Sequence, residues 1–522
     1  MNENIRQQIA SLLADPDKLL QTTPYYRRID SNKSSCDIFG RTIESVGTKT
    51  RAMLPSIKRV EVPIPALLRE LDPWSHSVLW DENIPSLTIK TRDGGWMRVE
   101  QKRLPLPYQP CIAKKQTLHL CNNQMSHVLL NTNPTEIQNK QFIRIKQAWD
   151  ERNIDGKKTE AVYTQKTESM VGMLFYHNYK GEINARILKY SDGYNIITHK
   201  DQNGEHILEC VYYAIDDVQY IDCYDDKYMY RLTNDGANVS DAAGRIVNGG
   251  WRYHEAVPHG FSEIPLAVKR GKVAWDAVQE IIEVAERTYN TFIVIQNRYG
   301  NGMLYVKGKL NPKAQKVNGS FVLNDTSMDP NADAKILNPA PPENMKETLD
   351  QLEEQIMKGA GTTFILPKDI KLSGDTSGIA VQLTQELDIE TALQDVNEWQ
   401  NFANKMMRLF KEGLASELVN SGEEDFEKAL SDFEKLNIRT RFVVWRPQSN
   451  EAYNQMLTTL HGAGGISNQT LIEKNTESCP DEMARVQKEK DAAEAEELKK
   501  QENTLKLAKK YKNNDETTVV NE

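Results

Sequence analysis

Residues 367–383 read PKDIKLSGDTSGIAVQL. The first twelve positions form a polar, glycine-bearing stretch, and the longest helical pattern in the chain begins straight after them. Its apolar positions are Leu383, Leu387, Leu393, Val396, Phe402, Met406, Phe410, Leu414 and Leu418, running from Ile379 to Val419. Unbroken, such a pattern gives about 60 Å of helix, more than one compact domain needs. A helix of that length normally links separate bodies or lines an axis.

Upstream, residues 343–359 predict a second helix carrying Leu349, Leu352 and Ile356. Pro341 and Pro342 suit its start, and Gly359 with Gly361 suits its end. Residues 301–341 predict short strands at 303–307, 320–323 and 335–337. Before them, residues 274–297 place Val278, Ile281, Ile282, Ala285, Tyr289, Phe292 and Ile295 on one helical stripe, about 36 Å long. Two helices therefore bracket a small inserted lobe. Trp275, Tyr289, Phe292, Trp399 and Phe402 read as core or subunit-packing aromatics.

From 160 to 255 the chain turns β-rich, with runs at 161–164, 182–190, 194–199, 206–215 and 217–224 separated by turn signals. These predict an antiparallel meander, followed by a short strand at 264–268. Residues 1–150 show one amphipathic helix (Ile5, Ile9, Leu12, Leu13). The prolines at 63, 65, 73, 105, 107 and 110 break the rest of this region into short elements. Downstream, a strand at 438–446 precedes helices at 450–460, 467–474 and 481–510, and residues 513–522 read as disordered.

Bulk composition narrows the function classes. At 522 residues the chain is too long for one simple core, and 39% hydrophobic with 27% charged residues describes a soluble globular protein. No run of about eighteen apolar residues predicts a membrane span, and no secretory signal is visible. The six cysteines, at 36, 111, 121, 210, 223 and 479, contain no CxxC pair. That spread fits reduced cytosolic thiols better than a disulfide framework or a zinc site. A net charge of −9 argues against gripping nucleic acid over the whole surface. An acidic chain can still enclose DNA without holding it.

Enzymatic motifs are missing: no phosphate loop, HExxH, GxSxG or zinc-spaced Cys/His set occurs. His254 and His259 beside Glu255 read as turn or surface chemistry. Asp216/Asp217, Asp225/Asp226 and Glu423/Glu424/Asp425 read as solvated loop acids in preference to a two-metal nuclease site. No catalytic residue, metal or cofactor is expected.

The succession of helix, inserted lobe, helix, polar glycine loop and very long helix resembles that of tailed-bacteriophage portal proteins. Five fragments carry the resemblance over residues 263–500. They are Ile264-Pro265-Leu266 with Asn338-Pro339-Ala340-Pro341-Pro342-Glu343-Asn344 leading into the two helices, and Ser377-Gly378-Ile379-Ala380, similar to the family's Ser-Gly-x-Ala. Gly465-Ile466-Ser467-Asn468-Gln469-Thr470 and Pro480-Asp481-Glu482-Met483-Ala484-Arg485 complete the set. The first 150 residues match no pattern of the family, the final helix lacks a strongly acidic tail, and the glycine loop is unusually charged.

The resemblance implies an α+β, portal-like fold in an oligomeric ring. Its parts are a β-rich wing, a helical stem, a small α/β clip between the stem helices, a long kinked helix and a helical C-terminal crown. The expected divisions are 1–262 N-terminal and wing region, 263–300 first stem helix, 301–341 clip, 342–363 second stem helix and 364–378 tunnel loop. Then come 379–434 long wing helix and following loop, 435–447 wing strand, 448–512 crown and 513–522 tail. The implied assembly is a homo-oligomeric ring of twelve at one capsid vertex of the virion, put together in the host cytoplasm with no membrane. Double-stranded DNA would pass through it. The implied partners are the terminase large subunit, the major capsid protein and scaffold, and head-tail adaptor proteins.

Within that frame Lys368, Lys371, Ser373, Asp375 and Thr376 are the expected DNA-contacting tunnel loop, against the plain reading of a helix-to-helix connection. Glu343, Glu347, Asp350 and Glu354 are the expected channel-lining acids, against a solvated outer face. Lys307, Lys309, Lys313, Lys316 and Lys335 make the inserted lobe basic, toward partner proteins, DNA at the mouth, or solvent. Two other readings stay open: a different phage DNA-channel or scaffold protein, and a DNA-processing nuclease with a diffuse active site.

Overall fold

The computed structural model describes residues 3–21, 24–30, 57–81, 84, 87–90, 96–99, 102–131, 134–235, 239–240, 246–247, 250–299, 303–307, 315–317, 320–322, 333–337, 343–364, 385–420, 433, 435–446 and 450–465, with isolated C-terminal positions. The chain divides into two compact units. One comprises Met1–Ile365 with Gln385–Trp445, and the other Leu366–Thr384 with Arg446–Glu522. In the second, the described element is the helix Asn450–Gly462, with Leu457 buried.

The first unit is built on the long helix Glu386–Asn420, an unbroken run of 35 residues and about 52 Å. The sequence pattern starts it at 379, and residues 379–384 lie outside the described residues. Its stripe of Trp399, Phe402, Met406, Phe410 and Leu414 is buried against Val171, Met173 and Phe175. Those three belong to the middle strand of a three-stranded antiparallel sheet ordered Leu266–Arg270, Met170–His177, Ile183–Leu188. The strand expected at 264–268 is thus Leu266–Arg270.

A second sheet is the expected meander. Asn195–Lys200, His206–Ile215, Val218–Tyr224 and Tyr228–Asn234 pair in sequence order, and Arg252–Tyr253 and Val257–Pro258 add to the last of them. The N-terminal helix Glu3–Leu13 packs on it, Ile9 and Leu19 being buried with Ile197, Leu208 and Ile221. The run at 182–190 is not part of this meander, because Ile183–Leu188 pairs with Met170–His177.

One expected strand is a helix. Residues 161–164 lie inside Ile154–Glu168, a helix whose buried positions include Ile154, Lys158, Ala161, Val162 and Gln165. The local run Ala-Val-Tyr-Thr favours a strand, but spacings of three and four put these residues on one face in the centre of the unit, so burial overrides propensity. Asn153 caps the helix, its Oδ1 accepting from Gly156 N at 3.2 Å. Pro63 and Pro107 each stand at a helix start: Pro63 precedes Ile64–Leu71, and Pro107 precedes Tyr108–Cys121.

Candidate functional site

Two helices leave the first unit's core and return to it. The outgoing helix is Gln279–Tyr299 and the returning one Glu343–Ala360. They pack antiparallel, with Val278, Ile282 and Ala285 sharing one apolar cluster with Leu352, Ile356 and Ala360. A Cβ on Gly359 would meet Val278 Cγ1 at 2.5 Å, so the glycine leaves room for the Val278 side chain. Between the helices the chain makes two antiparallel ladders, Met303–Lys307 with Asp333–Leu337 and Gln315–Val317 with Ser320–Val322. These strands fall in the stretch that the sequence reads as a small inserted lobe. By register, Lys307 and Lys335 fall on one face of the first ladder and Lys316 on the second; Lys309 and Lys313 lie outside the described residues.

On the returning helix the apolar positions Leu349, Leu352, Ile356 and Ala360 take one side. Glu347, Asp350 and Glu354 are three and four residues apart, exposed, and on the opposite side. Glu343 is the first residue of the helix and continues that spacing, and its side chain lies outside the described ones. Glu354 is paired with Lys358 Nζ at 2.6 Å in an exposed i,i+4 bridge. Such a bridge contributes little to stability, so Glu354 is not held there by the demands of folding.

The returning helix ends as its glycines predict. Gly361 has φ +62°, Thr362 N donates to Met357 O at 3.0 Å, and Gly361 N donates to Lys358 O at 3.3 Å. That is the double bond pattern of a left-handed helix stop. The chain is then fastened to the start of the long helix. Thr363 N donates to Asp388 Oδ1 at 3.2 Å, the Thr363 hydroxyl donates to Asp388 Oδ2, and Thr391 Oγ1 donates to Gly361 O at 2.8 Å. From the neighbouring helix Tyr108–Cys121, Lys115 Nζ donates to Thr363 O at 2.6 Å and lies 3.5 Å from Asp388 Oδ2, while Gln116 Nε2 donates to Ala360 O at 2.7 Å. Residues 365–384, with Lys368, Lys371, Ser373, Asp375 and Thr376, lie outside the described residues. Their two feet, however, are bonded to one another. Sequence reasoning missed this clamp. Its one signal was an acid in the first turn of a helix pattern facing a Gly-Thr-Thr helix stop, and Lys115 has no local signal at all.

The base of the outgoing helix is held by partly buried ions. Arg27 makes a bidentate pair with Glu70 (2.6 and 3.0 Å) and a bond to Asp276 (3.1 Å), Trp275 Nε1 donates to Glu70 at 2.8 Å, and Tyr25 donates to Asp276 at 2.5 Å. Further along the same helix, Glu286 accepts from Leu106 N at 2.8 Å and faces His76 Nδ1 at 2.6 Å. Burial opposes the charge on His76, but the Glu286 carboxylate outweighs it and raises the imidazole above its ordinary value. Asn290 exchanges both its amide groups with the backbone of Leu104 at 2.8 Å. Trp275, Trp399 and Phe402 are buried as expected, and Tyr289 and Phe292 are half-buried.

The residues weighed for catalysis are accounted for locally. His254 Nε2 meets Thr233 Oγ1 at 2.9 Å, and His259 Nε2 meets Asp225 O at 3.1 Å. Asp225 caps a turn, accepting from Lys227 N, Tyr228 N and Tyr230 OH at 2.6–2.7 Å. Asp216 and Asp217 are the two turn residues of a hairpin, both at positive φ. Glu423, Glu424 and Asp425 lie outside the described residues. Among the described residues, no group of three or more His, Cys, Asp or Glu is gathered for a metal ion, and no helix is long and apolar enough to cross a membrane.

A family model described as "Phage portal protein, SPP1 Gp6-like" matches residues 97–503. No curated protein matches the chain.

Proposed function

This chain belongs to the SPP1 Gp6-like family of phage portal proteins, and from that premise we propose that it forms a homo-oligomeric ring of twelve copies whose bore conducts double-stranded DNA. The ring sits at one capsid vertex of the virion after assembly in the host cytoplasm. It passes the genome inward during packaging and outward during ejection, and it has no enzymatic activity of its own. The terminase large subunit supplies the motor, while the major capsid protein with scaffold and the head-tail adaptor proteins bind other faces. The observation that carries this reading is the match over residues 97–503, which takes in both bracketing helices, the inserted strands and the long helix.

The mechanism is electrostatic. Ring symmetry repeats each exposed charge once per copy. Glu343, Glu347, Asp350 and Glu354 of the returning helix are assigned to the bore, where rows of carboxylates repel phosphate and keep DNA from sticking. Support comes from the exposure of Glu347, Asp350 and Glu354 on the side away from the outgoing helix. Lys368 and Lys371, with Ser373, Asp375 and Thr376, are assigned to transient phosphate contacts at the narrowest level. The bonded feet of that loop support this role, because they hold the segment to a fixed base. Lys307, Lys309, Lys313, Lys316 and Lys335 are assigned to the mouth, for partner proteins or DNA.

Negative-stain images of the purified full-length chain test the reading. Rings with an axial hole are expected. Particles no larger than the 59.6 kDa chain under all conditions contradict it.

A further inference from the structure

The hairpin between His206–Ile215 and Val218–Tyr224 turns through Asp216 and Asp217, at φ 48° and 66°. Two consecutive left-handed residues make the tight hairpin turn, so Ile215 and Val218 form a hydrogen-bonded pair. Bonded and non-bonded pairs then alternate away from the turn. Counting outward, 214/219, 212/221 and 210/223 are the non-bonded pairs, at which cross-strand side chains approach most closely. The residues in the last of these are both cysteines.

Non-bonded pairs bring Cα atoms to about 4.5 Å, within the range a disulfide spans. The two sulfurs are 2.7 Å apart, and both residues are fully buried. Ile9, Leu19, Ile197, Leu208, Ile221 and Leu232 surround them. We infer that Cys210 and Cys223 form an oxidation site that takes a small peroxide and closes to a cross-strand disulfide, stapling the meander sheet. This is independent of the channel role.

In the resting state both are thiols, and burial pushes the Cys210 thiol well up, so the pair is unreactive until the strands part. One thiolate then attacks hydrogen peroxide, breaking the O–O bond and giving a sulfenic acid with release of water or hydroxide. The second thiol displaces the sulfenic oxygen as a second water, and the S–S bond forms. Two thiols are oxidised by two electrons and one peroxide is reduced. A peroxide is small enough to reach the sulfurs through such a local opening, whereas a bulky disulfide reagent needs a larger one.

The test uses the full-length chain and hydrogen peroxide, followed by denaturation in iodoacetamide and tryptic mapping. Both cysteines fall in the single tryptic peptide that follows Lys200 and ends at Lys227. After exposure this peptide is expected to be unalkylated and two hydrogens lighter, and to take two alkyl groups once reduced. Cys121, also buried and with no cysteine paired to it among the described residues, remains alkylated, which controls for general inaccessibility. The oxidised chain should melt higher than the reduced chain, and a Cys223→Ala variant should show no such rise. Double alkylation of the peptide under a dose that oxidises exposed Cys111, or sulfinic acid on either cysteine in place of the bond, overturns the inference.

Discussion

Removing the Asp388 carboxylate is the sharpest perturbation of the loop base. Asp388 is 2% exposed and accepts from the Thr363 backbone (3.2 Å) and hydroxyl, with Lys115 Nζ 3.5 Å away. In Asp388→Ala the two Thr363 donors lose a charged acceptor, each bond contributing about 1.5–3 kcal/mol. Lys115 is not stranded, because it keeps its 2.6 Å bond to Thr363 O and its side chain is 22% exposed. The net local loss is therefore about 2–4 kcal/mol, below the sum of the separate bonds. At 1.4 kcal/mol per tenfold, this lowers hydrogen-exchange protection about 30- to 700-fold. The drop should be confined to peptides covering 357–364 and 385–395. Asp388→Asn keeps an acceptor and loses only charge, so its drop should be about fivefold, near 1 kcal/mol. Unchanged protection in the alanine variant, or a uniform loss across the first unit, refutes the idea of a local clamp.

Three other outcomes follow from the same contacts. His76 is held above its ordinary value by Glu286 after burial has opposed it, so its stabilising effect is complete below about pH 6.5 and declines as pH rises through the folded value. The melting difference between wild type and His76→Gln should therefore shrink from about pH 6 to about pH 9; a difference that grows would contradict the assignment. Neutralising Glu347, Asp350 and Glu354 together to Gln, Asn and Gln should leave rings and melting almost unchanged but raise DNA retention at low salt by about tenfold or more, lost at high salt. Equal retention by both proteins counts against a bore-facing acid row. Lys368→Ala with Lys371→Ala should leave rings intact and impair packaging or retention of DNA, and full-length packaging at the normal yield would remove the loop from the mechanism.

What the sequence disclosed and what it hid separate along physical lines. Features set by local chemistry were legible: the helix beginning at Glu343, its stop at Gly361, the strand Met303–Lys307 and the tight turn at Asp216 and Asp217. Each depends on residues within one or two turns of chain. The helix Ile154–Glu168 was misread over 161–164 because its β-branched and aromatic residues are strand-like locally, and only packing in the unit's centre decides against that. The strand Ile183–Leu188 was identified as a strand but given the wrong neighbours, since alternation marks a strand without naming its sheet. The fastening of the candidate site was invisible. Arg27 meets Asp276, His76 meets Glu286, and Lys115 meets Asp388 across long stretches of chain, and single charged residues in such stretches look like surface. The acid row on Glu343–Ala360 was legible as a row, while its placement opposite the packed face needed the partner helix.

A cryo-EM density map of the purified particle reaches the central claim most directly. It should show copies closed around an open bore, with Glu347, Asp350 and Glu354 of every copy turned toward the axis. A closed particle without a bore, or a ring in which those three carboxylates point to the outside, contradicts it.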